Sequence, residues 1–142
     1  PWKIFETDPK KNVIVISADY QSTLFSEAAS ASFHSGGWQV YSLGDMSSSI
    51  DVLFDLDLQK FLTKVWKSGM GIMVIVIFSS TAESMKFFAE SVNSIKLKSR
   101  KNLYLAVCGD MKKNTEIKAD LVEKDIQAVL QWSQTTFESF IS

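Results

Sequence analysis

The chain is poor in the residues on which metal and nucleophile chemistry usually depends. Among its 142 residues there is one cysteine, Cys108, and one histidine, His34. A single cysteine excludes an intramolecular disulfide and fits a reducing compartment, so we expect a cytoplasmic protein. The sequence also lacks a Cys-x-x-Cys pair, a P-loop and a dinucleotide-binding fingerprint, and one histidine is too few to assemble a Ser-His-Asp set with confidence. We therefore expect that the chain is not an enzyme.

Long hydrophobic runs and an excess of basic charge are also missing. The longest apolar run, residues 72–78, is far shorter than the roughly 18 residues that a membrane-spanning helix needs. The formal net charge is −1, whereas a dedicated nucleic-acid binder usually carries a basic excess. We therefore expect neither a membrane nor a nucleic acid as partner. Hydrophobic residues make up 46% and charged residues 22%, which is typical of one globular domain.

Short apolar runs alternate with helical patterns along the whole chain. The predicted strands are residues 13–16, 38–43, 72–78, 103–107 and 119–122. The predicted helices are residues 22–35, 51–68 and 81–97, and a last helix that Asp125 caps. Continuous β-branched runs are typical of strands that are buried on both faces, and the alternation implies right-handed βαβ units. The sequence predicts an α/β fold with a doubly wound, five-stranded, mostly parallel sheet in three α/β/α layers.

The chain begins with Pro-Trp rather than Met, and we expect a fragment of a longer protein. Residues 1–11 are interpreted as an N-terminal extension and residues 12–142 as the domain.

In the first helix, the inward face is predicted to comprise Leu24, Phe25, Ala28 and Ala29, with His34 on the outer side.

Two helices have apolar residues on more than one side. The second helix has a main stripe of Phe54, Leu58, Phe61 and Val65, and the last helix has one of Ile126, Val129, Leu130, Phe137 and Ile141. Further apolar residues lie off these stripes, at Leu53, Leu56, Leu62 and Trp66 of the second helix and at Trp132 of the last. The pattern predicts a protein partner or a homodimer that contacts the second or last helix; the alternative is a helix that is buried more deeply than average.

Small and hydroxylated residues follow the predicted strands. Ligands of doubly wound sheets bind at the carboxyl ends of the strands, where the strand order reverses. The candidate cofactor-binding residues are Asp19, Tyr20, Gln21, Ser22, Gly44, Ser79, Ser80, Cys108 and Gly109. The alternative interpretation is that these residues form turns and helix caps only.

Over roughly residues 12–131, the loops resemble those of cobalamin-binding domains, such as those of methionine synthase and methylmalonyl-CoA mutase. Residues 36–44 are similar to the family's Gly-Tyr-x-Val-x-x-Leu-Gly segment, residues 78–80 to its serine loop, residues 107–109 to its Val-Gly-Gly, and residues 119–122 to its Gly-Ala-Asp segment. The resemblance implies a cobalamin-binding-like, or flavodoxin-like, fold.

The first loop departs from the family's Asp-x-His-x-x-Gly motif. Asp19 matches the motif, but Gln21 replaces the cobalt-ligating histidine and Leu24 replaces the glycine. Gln is a poorer cobalt ligand than imidazole, and we expect Leu24 to fill space that the family leaves for the nucleotide tail. Cys108, in place of a glycine, is expected to add bulk beside the pocket. A protein nitrogen on cobalt is therefore not expected.

The family has an offshoot that senses haem and is attached to bacterial light and redox regulators, and a chain without the motif resembles that group. The resemblance implies a non-catalytic sensory or regulatory domain of a signalling protein, with haem or another tetrapyrrole as cofactor and His34 or Cys108 as its metal ligand. A surface His34 and a Cys108 that only fills the core are the alternatives. Two other functions stay open: a cobalamin carrier that binds with the corrinoid's own base on the metal, and an interaction or dimerisation module without a ligand.

Overall fold

The computed structural model describes residues 7–49, 54–66, 70–98, 101–109 and 116–142. The strands are β1 Lys11–Ser17, β2 Gln39–Asp45, β3 Ile72–Phe78, β4 Leu103–Cys108 and β5 Leu121–Glu123. The helices are α1 Thr23–Ser35, α2 Phe54–Val65, α3 Ala82–Leu97 and α4 Ile126–Ile141. Single 3-10 turns lie at Tyr20–Ser22, before α1, and at Ser47–Ser49, after β2.

The five strands form one sheet in the order β2-β1-β3-β4-β5, and every neighbouring pair is parallel. This confirms the predicted doubly wound fold, with the flavodoxin-like order. The order reverses between β1 and β3, because the chain proceeds from β1 to one edge of the sheet and from β3 to the other. The loops that follow these two strands therefore diverge to opposite faces and leave a crevice between them.

Two hydrophobic cores cover the two faces of the sheet. Alternation along β3 shows the division: Met73, Ile75 and Ile77 belong to the core under α2 and α3, whereas Val74 and Val76 belong to the core under α1 and α4. All seven residues of β3 are buried. A strand with both faces covered needs apolar residues at every position, which is why a continuous run, rather than an alternating one, predicted it.

The segment before β5 is held by Asp120 and not by the strand pairing that the sequence predicted for residues 119–122. The backbone N–H of Asp120 donates to the Leu105 carbonyl (2.9 Å), and its carboxylate accepts from the Leu105 N–H (2.8 Å). The same carboxylate pairs with Lys96 of α3. Asp120 thus satisfies the β4 backbone with its side chain, and regular pairing begins at Leu121.

In α1 the buried face differs from the predicted one. Leu24 is 76% exposed and Phe25 is 59% exposed, whereas Ser26, Ala29 and Phe33 are the buried residues. Ser26 is accommodated because its hydroxyl donates to the Thr23 carbonyl (2.9 Å), and small residues at 26 and 29 let the helix approach the sheet closely. The predicted inward positions of Leu24, Phe25 and Ala28 were wrong, and that of Ala29 is confirmed. The predicted outward position of His34 is also confirmed, since it is exposed.

Most of the apolar residues that lay off the predicted stripes are part of this chain's own packing. Leu62 and Trp66 are buried in the core under α2 and α3, and Trp132 contacts Tyr104 edge-to-face at 6.3 Å. Of the second-helix set, Leu56 is 52% exposed and Leu53 lies outside the described residues. In α4, Ile141 of the predicted stripe is 57% exposed. Leu62, Trp66 and Trp132 therefore do not form the second apolar face that the sequence predicted, and a partner on these helices stays a prediction.

The amino edge of the sheet is organised around a buried lysine. Lys11, the last residue of the predicted extension, is the first residue of β1; residues 1–6 lie outside the described part. Its ammonium donates to the Gly36 carbonyl (2.9 Å) and the Gln134 amide oxygen (2.8 Å), 5.2 Å from the ring centroids of Trp38 and Phe137. Burial lowers the pKa of Lys11, opposed by the charges of Asp8 and Glu138. Lys11 thereby ties the end of α1 to α4.

Among the described helices, none is both long enough and apolar enough to cross a membrane.

Two leucines of α2 test which face of this helix is buried. We expect Leu62→Ala to lower the free energy of unfolding by about 2–5 kcal/mol, since it leaves a cavity in a fully buried position. Leu56→Ala, the matched control, should cost less than about 0.5 kcal/mol because the side chain is half exposed. Urea denaturation of the two variants measures the difference. Equal costs would mean that α2 is rotated relative to the face described above.

Candidate functional site

Asp19 organises the loop that follows β1. One of its carboxylate oxygens, Oδ1, accepts hydrogen bonds from the Ser22 N–H (3.0 Å) and the Ser22 hydroxyl (2.7 Å). The aspartate therefore caps the 3-10 turn that leads into α1. Asp19 lies directly after β1, and the Ala18 N–H donates to the Phe78 carbonyl of β3 (2.8 Å), so the loop starts at the reversal point of the sheet.

The second carboxylate oxygen of Asp19 reaches across the crevice to the loop after β3. Oδ2 accepts from the Ser80 N–H (2.8 Å), the Ser80 hydroxyl (2.9 Å) and the Ser79 hydroxyl (3.2 Å). Burial raises the pKa of Asp19, but the hydrogen bonds from Ser80, Ser22 and Ser79 outweigh it and hold the pKa below its ordinary value. Asp19 is therefore ionised at neutral pH, and its oxygens are occupied by donors of its own chain.

A cavity of about 330 Å³ opens beside the two loops that Asp19 joins. Six of the predicted cofactor-binding residues line it: Gln21, Ser22, Ser79, Ser80, Cys108 and Gly109. The loops after β1, β3 and β4 thus meet at one place on the carboxyl edge, as the topology requires.

Gly109 allows the loops after β3 and β4 to approach each other closely. A Cβ at this position would lie 2.3 Å from the Ser79 carbonyl oxygen and 2.8 Å from the Met85 methyl. The Ser79 N–H donates to the Cys108 carbonyl (3.2 Å), and the Gly109 N–H donates to the Glu123 carbonyl (3.0 Å). A glycine is therefore needed for the packing that forms this wall of the cavity.

Three predicted site residues do not line the cavity. Asp19 holds its two loops together, and Tyr20 is 76% exposed at the start of the 3-10 turn. Gly44 lies on β2, where the register with β1 shifts between Val15 and Ile16, and its φ of 68° is one that glycine adopts readily. Gly44 therefore serves a β-bulge at the edge strand rather than the cavity.

Sequence reasoning missed four residues that line the cavity: Phe25, Phe78, Lys124 and Ile126. Phe78 is the last residue of β3 and Ile126 the first of α4, so the topology would place both at the carboxyl edge. Phe25 was missed because it was predicted to face the core. Lys124 directly follows β5, whose end the sequence predicted one residue too early.

Leu24 does not fill the cavity, contrary to the expectation from the first-loop motif. It is 76% exposed and is absent from the cavity lining. The side chain points away because α1 buries the face of Ser26, Ala29 and Phe33. The replacement of glycine by leucine therefore leaves the cavity open.

The two predicted metal ligands occupy different ends of the molecule. Cys108 lines the cavity, but burial, and after it the charges of Asp125 and Glu123, raise the pKa of its thiol to about 11. His34 is exposed near the carboxyl-terminal end of α1, at the amino edge of the sheet. Within the described ranges, no three His, Cys, Asp or Glu side chains are grouped so that they could hold a metal ion.

Other concave surfaces lie away from the reversal point. One of about 790 Å³ lies between α3 and the segment before β5, and a smaller one of about 200 Å³ lies between β2 and α2. Neither includes a predicted site residue. The carboxyl-edge cavity is distinguished from them by position, because it lies where doubly wound sheets bind their ligands.

No protein-family model matches the sequence, and no curated protein is significantly similar to it. Among solved structures, the chain is similar to the monomethylamine corrinoid protein of Methanosarcina barkeri, with a TM-score of 0.64 and 16% sequence identity. The match covers 92% of this chain and 58% of that one, so the chain spans less than two thirds of the length of this neighbour. What the two share is the fold, and this supports the cobalamin-binding-like architecture.

The carboxylate of Asp19 is expected to stabilise the fold in a pH-dependent manner. Asp19→Asn replaces the two acceptor oxygens with one amide oxygen and one NH₂ group, and the NH₂ group cannot accept from the serine donors. We expect a loss of about 1–3 kcal/mol in the free energy of unfolding at pH 7. Because the folded-state pKa lies below the ordinary value of 3.8, the contribution is complete above about pH 5 and is lost as the pH falls through the folded-state pKa.

Urea denaturation of wild type and variant between pH 7 and pH 3 measures this contribution. Asp45→Asn is the matched control, because Asp45 is exposed and its carboxylate accepts from the Ser47 N–H (2.9 Å) within its own loop. Its cost should stay below about 0.5 kcal/mol. A cost for Asp19→Asn that does not shrink at low pH would contradict the role of the ionised carboxylate.

Proposed function

We propose that the chain is a non-catalytic cobalamin-binding domain that takes the corrinoid at the carboxyl-edge cavity with the corrinoid's own base kept on cobalt. The observation that carries this proposal is the cavity at the reversal point, which lies beside the loops after β1 and β3 that Asp19 joins. Its position in a fold similar to that of a corrinoid protein supports a corrinoid as ligand.

The residues around the cavity fit a corrinoid that brings its own axial nitrogen. Gln21 lies at the mouth in the place of the family histidine, and none of the described lining residues carries an imidazole. Phe25, Phe78 and Ile126 provide apolar walls suited to a planar aromatic group. A base-on corrinoid supplies both the metal and its nitrogen ligand, so the protein needs only to bind and orient it.

The cavity is too small to enclose a whole tetrapyrrole. Its volume of about 330 Å³ is close to the lower limit of cavities that bury a drug-sized ligand, about 300–1,000 Å³. The remainder of a larger ligand would lie on the surface around the opening. Next to the cavity, the start of α1 exposes the large side chains of Tyr20, Leu24 and Phe25, and apolar exposure of this kind is typical of a binding surface.

Haem, the cofactor that the resemblance implied first, is the less well supported alternative. Haem needs an axial ligand from the protein, and His34 lies at the opposite edge of the sheet from the cavity. Cys108 is in the cavity wall, but burial raises the pKa of its thiol to about 11, so binding a metal there at pH 7 would carry the added cost of deprotonating the thiol. A sensory role within a longer signalling protein stays a prediction from the resemblance.

A titration with methylcobalamin tests the proposal. We expect saturable binding by ultrafiltration, with the absorption spectrum of the bound cobalamin unchanged from the base-on form. Haemin in the same assay should give no specific Soret shift. A base-off spectrum on binding, or no binding of methylcobalamin, would overturn the proposal; a Soret shift that is lost in His34→Ala or Cys108→Ala would instead establish haem as the ligand.

Phe25 should contribute to binding without contributing much to stability. Because Phe25 lines the cavity and is 59% exposed, we expect Phe25→Ala to weaken methylcobalamin binding about tenfold, the equivalent of about 1.4 kcal/mol, with a small change in the urea midpoint. Leu56→Ala, a large-to-small change at a half-exposed position on the other face of the sheet, should bind like wild type. Equal affinities of the two variants would place the corrinoid elsewhere.

The residue at position 21 is expected to determine whether cobalt is coordinated by the corrinoid's own base or by a protein nitrogen. Gln21→His restores an imidazole at the mouth of the cavity, and imidazole is a much better cobalt ligand than an amide. We expect part or all of the bound methylcobalamin to change to the base-off spectrum, more completely at pH 8 than at pH 5, where the imidazole is protonated. Gln21→Asn is the control and should leave the spectrum base-on. A Gln21→His complex that stays base-on at pH 8 would contradict the placement of cobalt near this loop.

A further inference from the structure

The hydrogen-bond donors around the carboxyl-edge cavity are consumed by the protein itself, and this restricts what the cavity can recognise. The backbone N–H groups of Ser22 and Ser80 donate to the Asp19 carboxylate. Those of Ser79 and Gly109 donate to carbonyl oxygens of Cys108 and Glu123. Loops that cradle phosphate instead leave several N–H groups directed at the ligand. This cavity lacks that arrangement at the four positions named.

The serine hydroxyls also donate their protons to groups of the protein itself. A hydroxyl has one proton and two lone pairs, and an ionised carboxylate only accepts hydrogen bonds. The hydroxyls of Ser22 (2.7 Å) and Ser80 (2.9 Å) must therefore give their protons to Asp19. The Ser79 hydroxyl accepts from the Thr81 N–H (3.2 Å) and shares its one proton between the Thr81 carbonyl (2.8 Å) and Asp19 Oδ2 (3.2 Å). What Ser22 and Ser80 have left for a ligand is their lone pairs.

We propose that the carboxyl-edge cavity selects ligands that present a neutral hydrogen-bond donor, a hydroxyl or a primary amide, to Ser22 and Ser80, and disfavours an anionic group there. This deepens the proposed function and rests on it only for the identity of the complete ligand. Corrinoids carry primary amides and a ribose hydroxyl, and cobalamin also carries an anionic phosphate; the proposal therefore assigns an amide or the hydroxyl, and not the phosphate, to Ser22 and Ser80. The Asp19 carboxylate, held ionised behind the serines, also repels a second anion.

Lys124 is the feature of the cavity that would favour an anion. It lines the cavity and is exposed, so its charge is screened by water and salt. Of the two serines, Ser22 lies deeper in the crevice than Lys124, since it is 4% exposed, whereas Ser80 is exposed. The Lys124→Met variant separates the two contributions, because it removes the cation and leaves Asp19 and both serines in place.

A pair of probes of the same shape tests the selectivity without any corrinoid. Benzamide carries an NH₂ donor, whereas benzoate is an anion without one. We expect benzamide to bind at the cavity about fivefold or more tightly than benzoate, the difference that about one net hydrogen bond makes. Two-dimensional NMR titration of the full chain, followed at the amides of Ser80 and Gly109, gives both dissociation constants and reports the folded state of each variant.

Variants attribute the preference to the serines. In Ser80→Ala the ratio of the two dissociation constants should fall to about twofold or less, while in Ser139→Ala, an exposed serine of α4, and in Lys124→Met the preference should remain. Tighter binding of benzoate, an unchanged preference in Ser80→Ala, or the absence of benzamide binding at the cavity would overturn the inference. The benzamide and benzoate titrations contain no corrinoid. Their outcome therefore does not depend on whether the chain binds methylcobalamin.

Discussion

The Asp19 carboxylate is the contact on which the candidate site depends. In a doubly wound sheet, the loops after β1 and β3 leave for opposite faces, so the crevice between them has no backbone pairing of its own beyond the strand ends. Asp19 bridges it with five hydrogen bonds, two to Ser22 and three to Ser79 and Ser80. This set fixes the turn into α1 and the loop into α3 together, and the cavity lies beside the joined loops. The relative position of these two loops therefore depends on one ionised side chain.

The fold was predictable because it depends on patterns that the sheet imposes on every residue. The continuous apolar run of β3 and the β-branched core of β1 can only be satisfied with both faces covered, and this requires helices on each side. The caps Thr81 and Asp125 also follow from local chemistry, since their side chains accept from N–H groups of the helices they precede. The convergence of Ser22, Ser79 and Cys108 at one edge then follows from parallel strands alone.

What the sequence did not reveal was the rotation of single helices. In α1 the periodicity of Leu24, Phe25, Ala28 and Ala29 is as helical as that of Ser26, Ala29 and Phe33, and the preference for large apolar residues favoured the wrong set. The buried face contains Ser26, a polar residue that is tolerated because its hydroxyl bonds to its own helix. In α2, Leu62 and Trp66 are buried although they lie off the main stripe, because the helix packs against both β-sheet and α3. Such choices depend on the neighbouring elements, which no local pattern encodes.

The rotation of α1 also changes what the missing glycine of the first loop means. Leucine at position 24 would close the pocket only if it faced the sheet, and it faces solvent instead. The same rotation brings Phe25 into the cavity wall as an apolar surface. The first loop therefore has Gln21, and no imidazole, at the position where the resemblance implies a metal ligand, and the cavity beside it is open. A metal ligand and a binding cavity depend on different residues in this fold, because a ligand at that position is one side chain of the first loop, whereas the cavity is formed by three loops that Asp19 and the close approach at Gly109 hold in place.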